Sequence, residues 1–228
     1  MTDRIYSKVF YPSFNCPTAL FKSIISINDL RFQTATDSHA VSLELDLSTL
    51  QITSGRAELN TSLCPIKPQE AAESLLVHIE TFSPEDFALT RPAANREKWL
   101  LIAQIYRSAV ALYCILSLQS VSLLPKDTPE MEIARARHAR ELLVSLEKGL
   151  EVPQIKYTMI WPLTVAGVEA VRSVGNGPRV FIQELLTEMC AELGASSPLV
   201  AREALRRFWG SGKTTWDECF DWPYAFVI

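Results

Sequence analysis

Between Trp99 and Leu118 the chain reads WLLIAQIYRSAVALYCILSL, twenty residues whose only formal charge is Arg107. A helix of that length reaches across a bilayer, so the chain must either insert this stretch or wrap other segments around it. Arg107 decides between them. A guanidinium at mid-membrane costs roughly 2.5–3.5 kcal/mol on an insertion scale, and Gln104 and Ser108 add polar groups of their own. The expected solution is a central helix buried on most sides by other helices, with no membrane association.

Composition agrees with a helical cover. Of 228 residues, 48% are hydrophobic and 21% charged, enough for one domain spanning 1–228 with a sizeable core. Eight glycines are few for the turns of a strand-rich sandwich, while Leu, Ala, Glu and Arg recur throughout. The fold class is therefore all-α, a bundle of about seven helices around the central apolar one. Periodicity and Pro or Gly punctuation place those helices at Pro17 to Arg31, Pro68 to Phe82, Asn95 to Ser120, Glu130 to Leu150, Tyr157 to Val174, Pro178 to Leu193 and Pro198 to Trp209. Residues 1–14 read as an N-terminal extension and 33–67 as a loop excursion. Within that excursion Val41, Leu43, Leu45 and Leu47 alternate with Ser42, Glu44 and Asp46, a period that suits a short strand between Ala40 and Ile52.

A formal charge of −4 gives no global positive field for nucleic acid. Five scattered cysteines, Cys16, Cys64, Cys114, Cys190 and Cys219, contain no C-x2-C pair, so neither a disulfide framework nor a thiolate zinc site is expected. The first residues lack the features of a secretory signal, and the chain reads as intracellular. Gly210-Ser211-Gly212-Lys213-Thr214-Thr215 ends like a phosphate-binding loop. The glycine that such a loop needs five residues before Gly212 is Arg207, and a helix, not a strand, precedes it. A polar turn is the better reading. His39, His78 and His138 lie far apart, with no metal-pair spacing. The basic run Ala134 to Arg140 precedes the leucine stripe of its helix, which places its arginines mostly on the exposed side. Asp217-Glu218 with Asp221 would serve acid–base chemistry only if buried together.

Asn15-Cys16-Pro17-Thr18-Ala19-Leu20-Phe21, continuing to Ile27-Asn28-Asp29-Leu30-Arg31, resembles the opening of the helical regulatory region of fungal binuclear zinc-cluster transcription factors. In the same order, Ile105 to Tyr113, Ile160-Trp161-Pro162-Leu163 through Gly167 to Ala170, and the Trp-rich end from Phe208-Trp209 to Trp216–Val227 are similar to later motifs of that region. The resemblance covers about nine-tenths of the chain. It implies a domain that receives small-molecule or protein signals. The family's six-cysteine, two-zinc module cannot be assembled from these cysteines, so no direct DNA binding by this chain, no metal and no cofactor are expected.

Pro162 suits a first helical turn, and Gly167 allows another helix to approach closely. Arg107 and Glu169 interrupt apolar helices, and burial would oblige them to pair. The expected ligand pocket is a mostly apolar cavity beside Tyr106, Arg107, Tyr113, Trp161, Glu169 and Trp216, closed by the segment from Trp216 to Phe226. Its occupant is a small hydrophobic molecule or a regulatory protein, with a homodimer as a further partner, in the nucleus or the cytoplasm. The alternative is a cofactor-independent cyclase or isomerase of fungal secondary metabolism on the same scaffold.

Overall fold

A computed structural model describes residues 16–47, 67–126, 128–156 and 158–220, with the side chains of 37–47 and 154 excepted. The described residues form α1 (Thr18–Leu47), α2 (Pro68–Glu80), α3 (Pro84–Leu89), α4 (Arg96–Ser120), α5 (Pro129–Leu150), α6 (Pro153–Lys156), α7 (Ile160–Glu169), α8 (Gly177–Leu193), α9 (Ser197–Gly210) and α10 (Trp216–Cys219). Single 3-10 turns sit at Ala93–Asn95 and Ala170–Arg172. There is no strand among them.

Starts and stops follow local chemistry. Proline occupies the first turn of α2, α3, α5, α8 and α9, where its missing N–H would have had no partner. Ser83 caps α3 by accepting from the Asp86 N–H at 3.0 Å, and Thr128 caps α5 through the Met131 N–H at 3.4 Å. Gly194 ends α8 in the left-handed conformation, φ 62°.

The stretch that opened the sequence argument is the middle of α4. The helix from Ala93 to Ser120 is long and apolar enough to cross a membrane, but most of it is buried inside the fold. From 108 to 119 every residue is buried. A helix with no polar face needs cover on all sides, and α1, α2, α3, α5, α7 and α10 supply it. The ten residues of α7 are also all buried.

Two boundaries differ from the sequence reading. The alternating stretch continues α1 to Leu47 instead of pairing as a strand, so the loop excursion does not begin at 33. Val41/Leu45 and Leu43/Leu47 are also i,i+4 pairs, and no Gly or Pro intervenes to stop the helix. Residues 48–52 of the expected strand, 48–66 of the expected loop and the extension 1–14 lie outside the described residues. The helix expected over 157–174 is shortened to α7 because Pro162, third in the helix, can sit only in a first turn. Its far end tightens into the 3-10 turn, where the Arg179 guanidinium donates to the carbonyls of Ala170 (3.0 Å) and Val171 (2.9 Å).

At Gly167 α7 and α9 approach closely. A Cβ built there would lie 2.4 Å from Leu205 Cδ1 and 2.8 Å from Cδ2. The Trp209 indole N–H donates to the Gly167 carbonyl at 2.9 Å, which fixes the spacing of the two helices.

Candidate functional site

Four of the expected pocket residues meet in one aromatic chain. Tyr106 stacks on Trp161 at 6.2 Å between centroids, Trp161 meets Tyr113 edge-on at 5.7 Å, and Tyr113 meets Trp216 at 4.8 Å. Phe220 extends the chain beyond Trp216, also at 4.8 Å. Helices α4, α7 and α10 are thus joined through rings in the geometries that aromatic quadrupoles favour. Tyr106, Tyr113 and Trp161 are buried. Both tyrosine hydroxyls are used: Tyr106 donates to the Thr158 carbonyl at 3.0 Å, and Tyr113 donates to Asn28 Oδ1 at 2.5 Å. Burial raises the pKa of both phenols, so they are neutral donors at physiological pH.

The short helix α10 is held by more than its rings. Glu218 accepts from the N–H groups of Thr214 (3.2 Å) and Thr215 (3.0 Å), completing a capping box. Asp217 pairs with Arg31 of α1, whose other terminal nitrogen donates to the Ser117 carbonyl at 2.6 Å. Asp217 and Glu218 are therefore engaged separately and are not buried together, which removes the acid–base reading; Asp221 and the segment 221–226 lie outside the described residues.

Arg107 and Glu169 do not pair. Arg107, whose side chain is 29% exposed, lies 3.6 Å from Glu141 of α5, in a network that also holds the buried His138 between Glu80 (3.1 Å) and Glu141 (3.6 Å). Glu169, only 10% exposed at its side chain, faces Arg135 of α5 at 3.3 Å and Arg172 at 3.6 Å. Arg135 is accordingly turned inward, at 13% exposure, and is not on the solvent face the sequence suggested. The signal was present in the spacing. Arg135, His138, Leu142, Leu146 and Gly149 follow each other by three or four residues, so one stripe carries charge at its start and leucine at its end. Burial pushes the Glu169 carboxyl above the usual carboxylate range, against the pull of both arginines.

These arginines face a cleft of about 500 Å³ formed by the end of α4, the first half of α5, the 3-10 turn after α7 and the turn leading into α10. Leu116 and Trp216 form its apolar side, and Arg135, Arg172, Lys126 and Glu132 its charged side. Trp216 alone of the six expected pocket residues lines it; Glu169 stands behind its arginines. Among the described residues no group of three or more His, Cys, Asp or Glu side chains is placed to hold a metal ion.

The family described as the fungal specific transcription factor domain matches residues 2–227. A curated relative, the phomenoic acid biosynthesis cluster-specific transcriptional regulator of Leptosphaeria maculans, is 44% identical over 157 residues, 69% of this chain and 30% of that protein. The chain thus spans less than a third of that relative's length. No solved structure matches it. The four motifs quoted from the sequence all fall inside the matched range; α4 carries one of them, and α1, α7 and α10, which carry parts of the others, pack against it. The chain belongs to the fungal specific transcription factor domain family.

Proposed function

We propose that this chain is the signal-receiving regulatory domain of a nuclear transcriptional regulator that controls a biosynthetic gene cluster of fungal secondary metabolism. The observation that carries the reading is the 44% identity, over 157 residues, to a cluster-specific regulator. The geometry supplies a means. Trp216 belongs at once to the cleft and to the aromatic chain, so a small molecule or regulatory protein that contacts it bears on the packing of α10 against α4. Helix α10 is a single turn, held by rings, one ion pair with α1 and a cap. That is the kind of marginal element on which a binding event has leverage.

The test is genetic. In the source fungus, deletion of the coding sequence should lower transcripts of one contiguous gene cluster, and Trp216→Ala in the restored gene should alter its induction while protein level is unchanged. Unaltered cluster transcripts in the deletion strain would refute the reading. Purified chain should also give no sequence-specific shift of duplex DNA at physiological salt, as its acidic balance suggests. A nanomolar shift lost in Arg135→Ala would place DNA contact in this domain after all.

A further inference from the structure

The cleft beside Trp216 combines two guanidiniums with an apolar wall, and its donors exceed its acceptors. Each arginine presents five N–H donors. Among the described residues Arg135 and Arg172 make ion contacts with Glu132 and Glu169 at 3.3–3.7 Å, but Arg135 Nε and Glu169 Oε2 are buried with no aligned hydrogen-bond partner. Glu169 offsets one of their two charges from behind without saturating them. The complement of a planar guanidinium fork is a carboxylate or phosphate oxyanion.

Charge selects between them. Arg135, Arg172 and Lys126 set three positive charges against Glu132 and Glu169, leaving one in excess among the described residues. A monoanion balances that excess, whereas a phosphate dianion overshoots it. In the same cleft Leu116 and Trp216 offer apolar surface for an aliphatic or aromatic body, and about 500 Å³ lies within the range of small-molecule sites.

The geometry points to this cleft as the binding site for an amphipathic monocarboxylic acid, its carboxylate on Arg135 and Arg172 and its apolar body against Leu116 and Trp216. The assignment rests on the proposed sensing role, since it names the class of molecule sensed. It is nevertheless tested on purified protein, so it can fail while the transcriptional reading stands, and the reverse.

The probes are the straight-chain acids from hexanoate to dodecanoate, the matching alcohols and the matching alkyl phosphates, all below micelle formation, with binding read by calorimetry and by tryptophan emission. At least one acid should bind, and its alcohol should bind about tenfold more weakly or worse, the effect of losing a charge-assisted pair. Arg172→Gln should weaken the acid by about tenfold and leave the alcohol unaffected, while Arg172→Lys keeps the charge but loses the fork and falls between. Arg172 is chosen because Glu169 keeps Arg135; if R172Q does not fold, R172K carries the comparison. Trp216→Phe should abolish most of the emission change that the acid produces. No binding by any acid, equal binding of acid and alcohol, tighter binding of the phosphate, or an unchanged affinity in the folded Arg172 variants would each overturn the assignment.

Discussion

Replacing Gly167 by alanine adds a single methyl group where α7 and α9 pack closely together. The new Cβ would stand 2.4 and 2.8 Å from the two Cδ atoms of Leu205 and 3.1 Å from its Cγ. Leu205 is itself fully buried, so its side chain can give way only by displacing packed neighbours. Overpacking of this kind costs roughly 1–3 kcal/mol. If the helices separate instead, the Trp209 bond to the Gly167 carbonyl at 2.9 Å lengthens, which forfeits about 0.5–1.5 kcal/mol. Against both stands the helix preference of alanine over glycine, about 1 kcal/mol. The balance is a loss of about 1 kcal/mol, or a fall in Tm of about 2–4 °C for a domain of this size. Urea and thermal unfolding followed by circular dichroism measure it. Gly210→Ala provides the control: nothing lies within 4 Å of its added Cβ, and stability should stay within about 0.5 kcal/mol of the parent. In a Leu205→Ala background the clash is gone and Gly167→Ala should become stabilising, a coupling of about 2–3 kcal/mol. If G167A stabilises the parent protein, or costs the same with and without Leu205, the close approach does not limit the packing of α7 on α9.

Further outcomes follow from the charged groups and from α10. Arg107→Met should cost about 1 kcal/mol or less in urea melts, because both partners of its ion pair are partly exposed. Arg135→Met, which strands the buried Glu169 with Arg172 alone, should cost about 3 kcal/mol; equal costs would contradict the assigned partners. Burial lowers the His138 pKa below its ordinary 6.5, more than the carboxylates of Glu80 and Glu141 raise it, with Arg137 adding to the lowering. The folded state therefore binds fewer protons at this site than the unfolded state, so stability is present above pH 6.5 and is lost as pH falls through the folded pKa. His138→Gln should flatten the decline in Tm between pH 7 and pH 5, and an unchanged slope would exclude His138 as its source. Trp216→Ala should speed tryptic cutting at Lys213 several-fold while shifting the global Tm little, since it loosens α10 and leaves the core intact; an unchanged cleavage rate would show that the rings do not hold this segment.

Much of the architecture was legible because it is written in local signals. Pro marks the first turn of α2, α3, α5, α8 and α9 and Gly the end of α8, and the apolar run around Arg107 demanded cover whatever supplied it. The short helices α3, α6 and α10, of six residues or fewer, were not legible, being too short to show a period. The strand between 40 and 52 was misread over its described part because alternation over seven residues also satisfies i,i+4 pairing. For the site, the rings of Tyr106, Tyr113, Trp161 and Trp216 were named from sequence and do meet. The expected pair of Arg107 with Glu169 was misassigned, since partner choice depends on which face of α5 meets α7, a rotation that no single helix encodes. Arg172 lies just past α7 in a turn, outside any periodic pattern.

The burial of α4 also has a history during synthesis. Ser120 ends α4, and Ile160, the first residue of α7, follows forty residues later. At roughly 5–20 residues per second the ribosome takes about 2–8 s to deliver that part of the cover, and α10 comes later still. Throughout that interval the nascent chain displays a twenty-residue apolar segment that resembles a signal for insertion. Its single charge then matters more than it does in the finished protein. In the folded domain Arg107 makes a half-exposed ion pair of small value, but on the emerging segment it is the group that disfavours lipid and self-association alike. A residue nearly neutral to the stability of the fold can thus be the one that lets the chain arrive there.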